Sequence, residues 1–401
     1  MHGFLCSNNI IMKKKYIVLF VLLLQLSTAI AGFIDGAYIY KGQPRKYSIY
    51  VPNIYYTKGV KVPLLLGLHG FGDNISNFKN ICMTGIADTA NYICVYAEGL
   101  PYVAGFNAWN SGAGNGIINI NSTTDDVGFL NGLVDTVIAK YQIDTTRMYV
   151  FGFSFGGFMA DRMATECSHR FAAVANVSGL HGNFLAGKIP TNSIGYLKFH
   201  GTSDQTISYD GTQTKFAIFT LPGFGLSAEN TVNFWVTQNQ CSTTAIVDTM
   251  PNTANDGLRF VRFSYNNGRD NSKVIFYQVL NGEHDWYGTP GNDISYCQTI
   301  WSFFNQFTRQ ATLSSVRNTV EKGQFKIYPN PSNGNVSIDF STIRDKISTI
   351  SVYNNVGSLV LTLPVNNEKQ ILLSSSLPVG MYVVHLQNEN SIIAVEKMVI
   401  Q

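Results

Sequence analysis

The sequence predicts an α/β fold with a mostly parallel central sheet, followed by a small C-terminal all-β sandwich. Up to about residue 310, continuous apolar runs such as Val62 to Leu68 alternate with segments of helical spacing. This alternation is typical of a parallel sheet that helices cover on both faces. From Phe325 onward, apolar and polar residues alternate in short segments separated by turn residues, a pattern that predicts about seven short strands.

The start of the chain has the features of an export signal. Residues 12–31 combine three lysines, an apolar run and a small-residue ending. They predict a signal peptide cleaved before Gly32, with Met12 as an alternative start. The apolar run is too short to span a membrane, so no transmembrane segment is expected in the mature chain. The expected parts are a signal peptide at 1–31, an α/β domain at 32–310, a linker at 311–323 and a β-sandwich at 324–401.

The composition excludes several classes of partner. Charged residues make up 13% of the chain, and the formal net charge of +3 is carried by Lys13, Lys14 and Lys15. The rest of the chain has as many basic as acidic side chains, so no nucleic-acid partner is expected. No Cys-x-x-Cys or His-Glu-x-x-His motif occurs, and we therefore expect neither a metal site nor a cofactor.

Export permits disulfide bonds. Five cysteines follow the predicted signal peptide, and an odd number leaves at least one thiol unpaired within a single chain. Their pairing stays open at the level of sequence. They are Cys82, Cys94, Cys167, Cys241 and Cys297.

A strand, a sharp turn and a helix are predicted around Ser154. The apolar run from Met148 to Phe151 predicts a buried strand, and helical spacing resumes at Phe158. Between them stands Gly-Phe-Ser-Phe-Gly, a G-x-S-x-G motif whose small residues let strand and helix pass closely. Such a turn exposes the serine hydroxyl at the end of its strand. Ser154 is therefore the predicted nucleophile.

Two further polar residues follow strands in the same way. Asp204 comes after the predicted strand Tyr196 to His200, and His284 comes after Lys273 to Leu280. The chain order Ser, Asp, His is the order found in α/β-hydrolases. We therefore predict that His284 is the general base for Ser154 and that Asp204 orients the imidazole.

Other polar residues near strand ends have less support as catalysts. His69 and His200 precede the acid in sequence and are expected to be structural. Asp210 is a rival for the acid. Asp125 and Asp126 are expected to cap a helix and to supply charge to its first turn.

The turn from His69 to Asp73 is rich in glycine and follows the strand that ends at Leu68. Beside a nucleophilic serine, such a turn can direct N–H groups at a developing oxyanion. We predict this role for the backbone N–H groups of Phe71 and Phe155. Trp109 stands in a glycine-rich loop, where it either lines a pocket or packs its own loop.

A family resemblance is carried by the pieces LLLGLHGFGDN, AWNSG, DDVGFLNGLV, YQIDTTRMYVFGFSFGGFMADRMA, RFAAVANVSG, LKFHGTSDQTISYDG and NGEHDWYG. With these pieces, the segment from about Ile34 to Phe307 resembles the secreted esterases grouped as the polyhydroxybutyrate depolymerase and feruloyl esterase family, of the carbohydrate esterase family 1 type. The resemblance implies an α/β-hydrolase fold with a triad of Ser154, Asp204 and His284, oxyanion N–H groups from Phe71 and Phe155, and an acyl site bordered by Trp109 and Trp286. Phe153 and Phe155 stand where the family often has small residues, which leaves the acyl group open.

The C-terminal pieces FKIYPNPSNGNVSIDF, VYNNVGSLV and LPVGMYVVHL resemble the type A sorting domain of the Bacteroidetes type IX secretion system. The resemblance implies that residues 324–401 engage the type IX secretion machinery. It also implies passage across the outer membrane, so the product is expected to be extracellular or attached to the cell surface.

These observations together predict a secreted serine carboxylesterase that hydrolyses feruloyl or acetyl esters of plant polysaccharide through an acyl-enzyme. Three alternatives stay open: a depolymerase of polyhydroxybutyrate, a peptidase, and a catalytically inactive surface protein that binds glycans. The complete set of Ser, Asp and His disfavours the inactive protein.

Overall fold

The computed structural model describes residues 32–116, 118–216, 219–309, 325–343, 346–354, 359–374, 377–388 and 392–401. The predicted signal peptide and the predicted linker lie outside these residues. The chain forms two compact units, and the division falls between Arg309 and Gln310.

Among the described residues, the larger unit consists of strands with helices between them. The strands are β1 Gly32–Tyr40, β2 Gln43–Val51, β3 Val62–Leu68, β4 Ile93–Ala97, β5 Leu100–Val103, β6 Phe106–Ala108, β7 Ile143–Phe153, β8 Ala173–Val177, β9 Gly195–Gly201, β10 Gln213–Phe216, β11 Phe219–Pro222, β12 Ile246–Thr249, β13 Arg259–Tyr265 and β14 Val274–Leu280. The α-helices are α1 Asn53–Lys58, α2 Ile75–Phe78, α3 Met83–Ala90, α4 Asp126–Lys140, α5 Phe155–Cys167, α6 Ala228–Gln238 and α7 Tyr296–Phe304.

Ten of these strands form one sheet in the order β1-β2-β4-β3-β7-β8-β9-β14-β13-β12. Neighbouring strands are parallel from β4 to β14 and antiparallel at both edges. Leu64 and Leu66 of β3 enter one buried cluster, whereas Leu65 enters another. Both faces of the sheet are therefore covered, as a continuous apolar run predicts. The predicted α/β fold class is confirmed.

The turn at Ser154 depends on glycines at close contacts. Ser154 lies between β7 and α5 with a positive backbone φ of 58°, a conformation that costs a non-glycine residue energy. A Cβ on Gly152 would overlap the carbonyl oxygen of Gly156, and a Cβ on Gly156 would overlap the carbonyl oxygen of Leu68. The two strands and the helix thus pass too close together for any side chain at these positions.

Replacing Gly156 with alanine is expected to destabilise the larger unit by about 1–3 kcal/mol or to prevent its folding. The new methyl group would meet backbone atoms of β3, which cannot move aside as a flexible side chain can. Urea unfolding followed by circular dichroism measures the effect. The matched control is Gly85→Ala in α3, where a Cβ meets nothing within 4 Å; this change should stabilise the helix by up to about 1 kcal/mol. Equal stability of the Gly156 variant and the wild type would contradict the argument.

A disulfide joins two helices of the larger unit. Cys82, which precedes α3, is bonded to Cys297 of α7, 215 residues away. Cys94, Cys167 and Cys241 are buried free thiols. The structure thereby resolves the pairing that the sequence leaves open.

The smaller unit is built from strands alone within its described residues. The strands are β15 Lys326–Tyr328, β16 Asn335–Asp339, β17 Thr349–Asn354, β18 Leu359–Pro364, β19 Gln370–Ser374, β20 Gly380–Gln387 and β21 Ile392–Ile400. They form two antiparallel sheets, ordered β15-β16-β19 and β18-β17-β20-β21. Val336 of the first sheet and Ile350 and Val384 of the second share one buried cluster. The C-terminal all-β region is confirmed, with the two sheets packed as a sandwich.

Candidate active site

Three polar residues meet at the carboxyl ends of the parallel strands. Ser154 follows β7, Asp204 follows β9 and His284 follows β14, and these strands lie within one run of the sheet, β7-β8-β9-β14. His284 Nδ1 is 2.7 Å from Asp204 Oδ2, and His284 Nε2 is 2.8 Å from Ser154 Oγ. The structure therefore brings together the three residues that the sequence predicts as a triad. Sheets of this type place reactive groups at this edge because the loops after the strands converge there.

The surroundings of Asp204 keep it a carboxylate. Its side chain is buried, and its Oδ1 accepts hydrogen bonds of 2.8 Å from the N–H groups of Thr206 and Ile207. Burial by itself would raise the pKa of Asp204, but the hydrogen bond and charge of His284, with smaller contributions from His200 and Ile207, lower the pKa below its ordinary value. A carboxylate only accepts hydrogen bonds, so His284 Nδ1 donates to it and His284 Nε2 accepts the hydroxyl proton of Ser154.

Aromatic rings support the imidazole. The ring of Phe153 lies 4.9 Å from the ring of His284, and the ring of Trp286 lies 6.2 Å from that of Phe153. Phe153 therefore packs against His284 and can hold the orientation of its ring. Trp286 is half-buried. It packs against Phe153, which in turn packs against His284.

The turn predicted to bind the oxyanion packs against the nucleophile. A Cβ on Gly70 would lie 3.4 Å from Ser154 Cβ, and the Phe71 ring lies 5.5 Å from the Phe155 ring. Phe155 is the first residue of α5, and N–H groups in the first turn of a helix have no partner within that helix. The positions of Phe71 and Phe155 are thus compatible with the predicted oxyanion role, which stays a prediction.

Residues 52–219, which include the serine turn, the glycine-rich turn and Asp204, match the model of the Phospholipase/Carboxylesterase family. The larger unit has the α/β-hydrolase fold, and it is similar to carboxylesterases over these residues. Residues 326–401 match the model of the Secretion system C-terminal sorting domain, which indicates export. Among the described residues, no helix has both the length and the apolar character needed to cross a membrane.

The hydrolase domain is similar to several proteins that are named as esterases. This chain is 28% identical to the putative esterase NocK of Nocardia uniformis subsp. tsuyamanensis, over 58% of this chain and 67% of that protein. It is 24% identical to the bifunctional acetylxylan esterase/xylanase XynS20E of Neocallimastix patriciarum, over 73% of this chain and 37% of that protein. It is 28% identical to the probable feruloyl esterase C of Aspergillus niger, over 42% of this chain and 57% of that protein. The chain thus spans only part of the length of each of these relatives.

A solved structure, the acetyl xylan esterase from Aspergillus awamori, aligns with a TM-score of 0.46 and 16% identity. The alignment covers 68% of this chain and 99% of that chain.

The prediction that Trp109 borders the substrate is wrong. It is completely buried in the hydrolase domain, its indole N–H donates to the carbonyl oxygen of His69 at 2.9 Å, and its ring lies 5.0 Å from the His69 ring. The second sequence interpretation, packing of its own loop, is the observed one. Trp109 therefore packs against the glycine-rich turn and holds it in place. It has no exposed surface that a substrate could contact.

The rival catalysts lie away from the triad or have other partners. His69 is buried, and its Nε2 accepts the N–H of Gly99 at 3.0 Å, so it fixes the glycine-rich turn. Asp210 is exposed and accepts the N–H of Thr212 at 3.0 Å. Asp204, not Asp210, is the carboxylate that reaches His284.

The two acidic residues at the start of α4 differ in role. Asp125 is the N-cap and accepts the N–H of Gly128 at 2.9 Å, as predicted. Asp126 lies in the first turn of α4, as predicted, and in addition forms a buried ion pair with Arg45 at 2.5 Å and accepts the N–H of Asn110 at 2.6 Å. It thereby anchors the loop that carries Trp109. Sequence reasoning missed this role because Arg45 is distant in the chain and no motif marks the pair.

Within the part of the chain that the structure describes, no group of three or more His, Cys, Asp and Glu side chains is arranged to hold a metal ion.

Proposed function

We propose that this chain is an exported serine carboxylesterase with Ser154 as nucleophile, His284 as general base and Asp204 as the acid that orients His284. The observation that carries the proposal is the continuous hydrogen-bonded chain from Asp204 through His284 to Ser154, with distances of 2.7 and 2.8 Å. Its geometry meets the requirement for a base within hydrogen-bond reach of the proton that it removes.

The reaction follows from the proton positions. His284 Nε2 takes the hydroxyl proton while Ser154 Oγ attacks the ester carbonyl, and the Asp204 carboxylate stabilises the imidazolium that forms. The imidazolium then gives this proton to the alkoxide oxygen as the C–O bond breaks, which releases the alcohol and leaves an acyl-enzyme. A water molecule, deprotonated by His284, attacks the acyl carbon, and Ser154 recovers its proton as the acid leaves. The N–H groups of Phe71 and Phe155 stabilise the oxyanion in both steps.

Apolar residues beside the nucleophile favour an aromatic acyl group. The Phe71 ring lies 5.5 Å from the Phe155 ring and 5.7 Å from the Phe106 ring; these three residues are called the aromatic strip. Phe106 is 43% exposed, so the strip leads from the buried nucleophile towards solvent. An aromatic ring packs well along such a strip, whereas an acetyl group is too small to reach it.

We propose feruloyl esters of plant polysaccharide as the substrate class, with acetyl esters second. The names of two relatives, a probable feruloyl esterase C and a bifunctional acetylxylan esterase/xylanase, support both acyl groups. The C-terminal sorting domain supports export. We propose the type IX machinery as the route and an extracellular or surface-attached product.

Hydrolysis of methyl ferulate, acetylated xylan and a polyhydroxybutyrate suspension by the purified full chain tests the function. Release of ferulate is expected to exceed release of acetate. Fluorophosphonate labelling of Ser154 reports a working nucleophile independently of the substrate. Turnover of polyhydroxybutyrate alone would favour the polyester depolymerase, labelling without ester turnover would favour a peptidase, and no labelling at all would favour the glycan-binding protein.

Replacing Phe106 with alanine is expected to lower kcat/KM for methyl ferulate by about 10-fold, with less than about a twofold change for methyl acetate. The reason is that only the aromatic acyl group reaches the exposed end of the aromatic strip. Steady-state kinetics on both esters measure the selectivity. Phe33→Ala is the matched control, because Phe33 is 38% exposed on the edge strand β1 and should affect neither ester. An equal loss on both esters would contradict the role of the strip.

A further inference from the structure

A buried lysine lies behind the triad. Lys198 is on β9 and its side chain has no exposed surface. Its Nζ donates to the carbonyl oxygen of Gly179 at 2.5 Å and lies 3.0 Å from His200 Nδ1 and 3.4 Å from the carbonyl oxygen of Phe199. An ammonium group has three protons to donate, and these three acceptors match them. A fully buried lysine is rare because desolvation of its charge is costly unless partners compensate.

His200 connects Lys198 to the loop of the catalytic acid. His200 Nε2 is 2.8 Å from the carbonyl oxygen of Ile207, which only accepts, so Nε2 carries the proton and Nδ1 accepts from Lys198. Burial, together with the charge of Lys198, lowers the pKa of His200 to about 3. His200 is therefore a neutral ring with a fixed tautomer.

The next contact is with Asp204 itself. His200 Nε2 lies 3.5 Å from Asp204 Oδ2, the oxygen that accepts the hydrogen bond of His284. Ile207 accepts from His200 and donates its own N–H to Asp204 Oδ1 at 2.8 Å. His200 thus lies against the carboxylate and is hydrogen-bonded to the loop that presents it, and Lys198 is in turn hydrogen-bonded to His200.

The charged groups around Lys198 come from three elements. Asp161 of α5 and Asp204 after β9 attract the ammonium, and His284 after β14 lies beyond Asp204. Asp161 is buried, and its Oδ2 is hydrogen-bonded to His181 Nδ1 at 2.6 Å. Burial lowers the pKa of Lys198 to about 7, and the two carboxylates oppose that shift. At pH values below about 7 the ammonium supplies a positive charge behind the triad.

We propose that Lys198 is a positioning residue of the triad, which holds the Asp204 loop through His200 and moderates the basicity of His284 by its positive charge. This inference rests on the proposed esterase function. A nearby cation disfavours the positively charged imidazolium form of His284. Removing the positive charge of Lys198 therefore favours that form. The acid limb of the profile of kcat/KM against pH therefore moves to higher pH when the charge is removed.

Two substitutions separate the hydrogen bond from the charge. Lys198→Met removes both. We expect kcat to fall by about 10-fold with KM unchanged. We also expect the acid limb to move to higher pH by about half a pH unit. Lys198→Gln keeps an N–H donor for His200 but no charge. The Lys198→Gln variant should have a kcat close to that of the wild type, but its acid limb should lie at the same higher pH as that of Lys198→Met. Kinetics of the full chain on methyl ferulate between about pH 5 and pH 9 measure both effects.

Tyr149→Phe is the control for general loss of stability, because it removes a buried hydrogen bond of 2.7 Å to the carbonyl oxygen of Phe307. It should lower the melting temperature and leave the pH profile unchanged. If the wild type is active and the acid limb of the Lys198→Gln variant lies at the same pH as that of the wild type, the proposal is overturned. This test does not depend on whether Lys198→Met folds. A wild type that neither hydrolyses esters nor reacts with a fluorophosphonate would instead refute the esterase function.

Discussion

Replacing Ser154 with alanine is expected to lower ester hydrolysis by about 10⁵ to 10⁶-fold while the hydrolase domain stays folded. The hydroxyl is the atom that would attack the carbonyl, and its hydrogen bond is to His284 Nε2. The backbone bonds at this position do not involve the side chain: Ser154 N–H donates to the carbonyl oxygen of Val177 at 2.8 Å, and its own carbonyl oxygen accepts from Phe158 at 3.1 Å. Kinetics on methyl ferulate, fluorophosphonate labelling and a thermal melt measure activity and folding separately.

Ser178→Ala is a close control for this experiment. Ser178 is also buried, follows the neighbouring parallel strand β8 and has a positive φ of 51°. It has the same residue type and a similar backbone strain, whereas the hydrogen bonds of the His284 ring go to Asp204 and Ser154. We expect the Ser178 variant to keep full activity and labelling. Substantial hydrolysis by the Ser154 variant would remove it as the nucleophile.

The change Asp204→Asn is expected to lower kcat by about 10⁴-fold. Asp204 Oδ1 accepts two backbone N–H groups, from Thr206 and Ile207, and Oδ2 faces His284 Nδ1. An asparagine would keep its carbonyl oxygen towards the two N–H donors and would turn its NH₂ group towards His284. The imidazole would then accept at Nδ1 and carry its proton on Nε2, facing Ser154. It could no longer remove the hydroxyl proton.

Asp210→Asn provides the matched control, because Asp210 is the rival acid and is exposed. Its kcat should stay within about twofold of the wild type. Both variants are compared on methyl ferulate at equal concentrations of folded protein. Loss of activity in the Asp210 variant together with full activity in the Asp204 variant would reverse the assignment.

Local patterns carried most of the fold prediction. The continuous apolar run predicted Val62 to Leu68, and β3 has these same bounds. The G-x-S-x-G motif predicted the strand, turn and helix at Ser154. Both predictions succeed because burial on two faces and close backbone contacts restrict the residue types that a segment can contain.

The sequence by itself determined the fold class, the serine turn and the chain order of Ser154, Asp204 and His284, since each of these follows from residues close together in the chain or from their order. Only the tertiary structure decided that Trp109 is buried, that Cys82 pairs with Cys297, and that Lys198 reaches Asp204 through His200. These contacts depend on which strands lie side by side and which loops converge at their ends. Periodicity reports which face of a segment is buried, but it does not report what lies against that face.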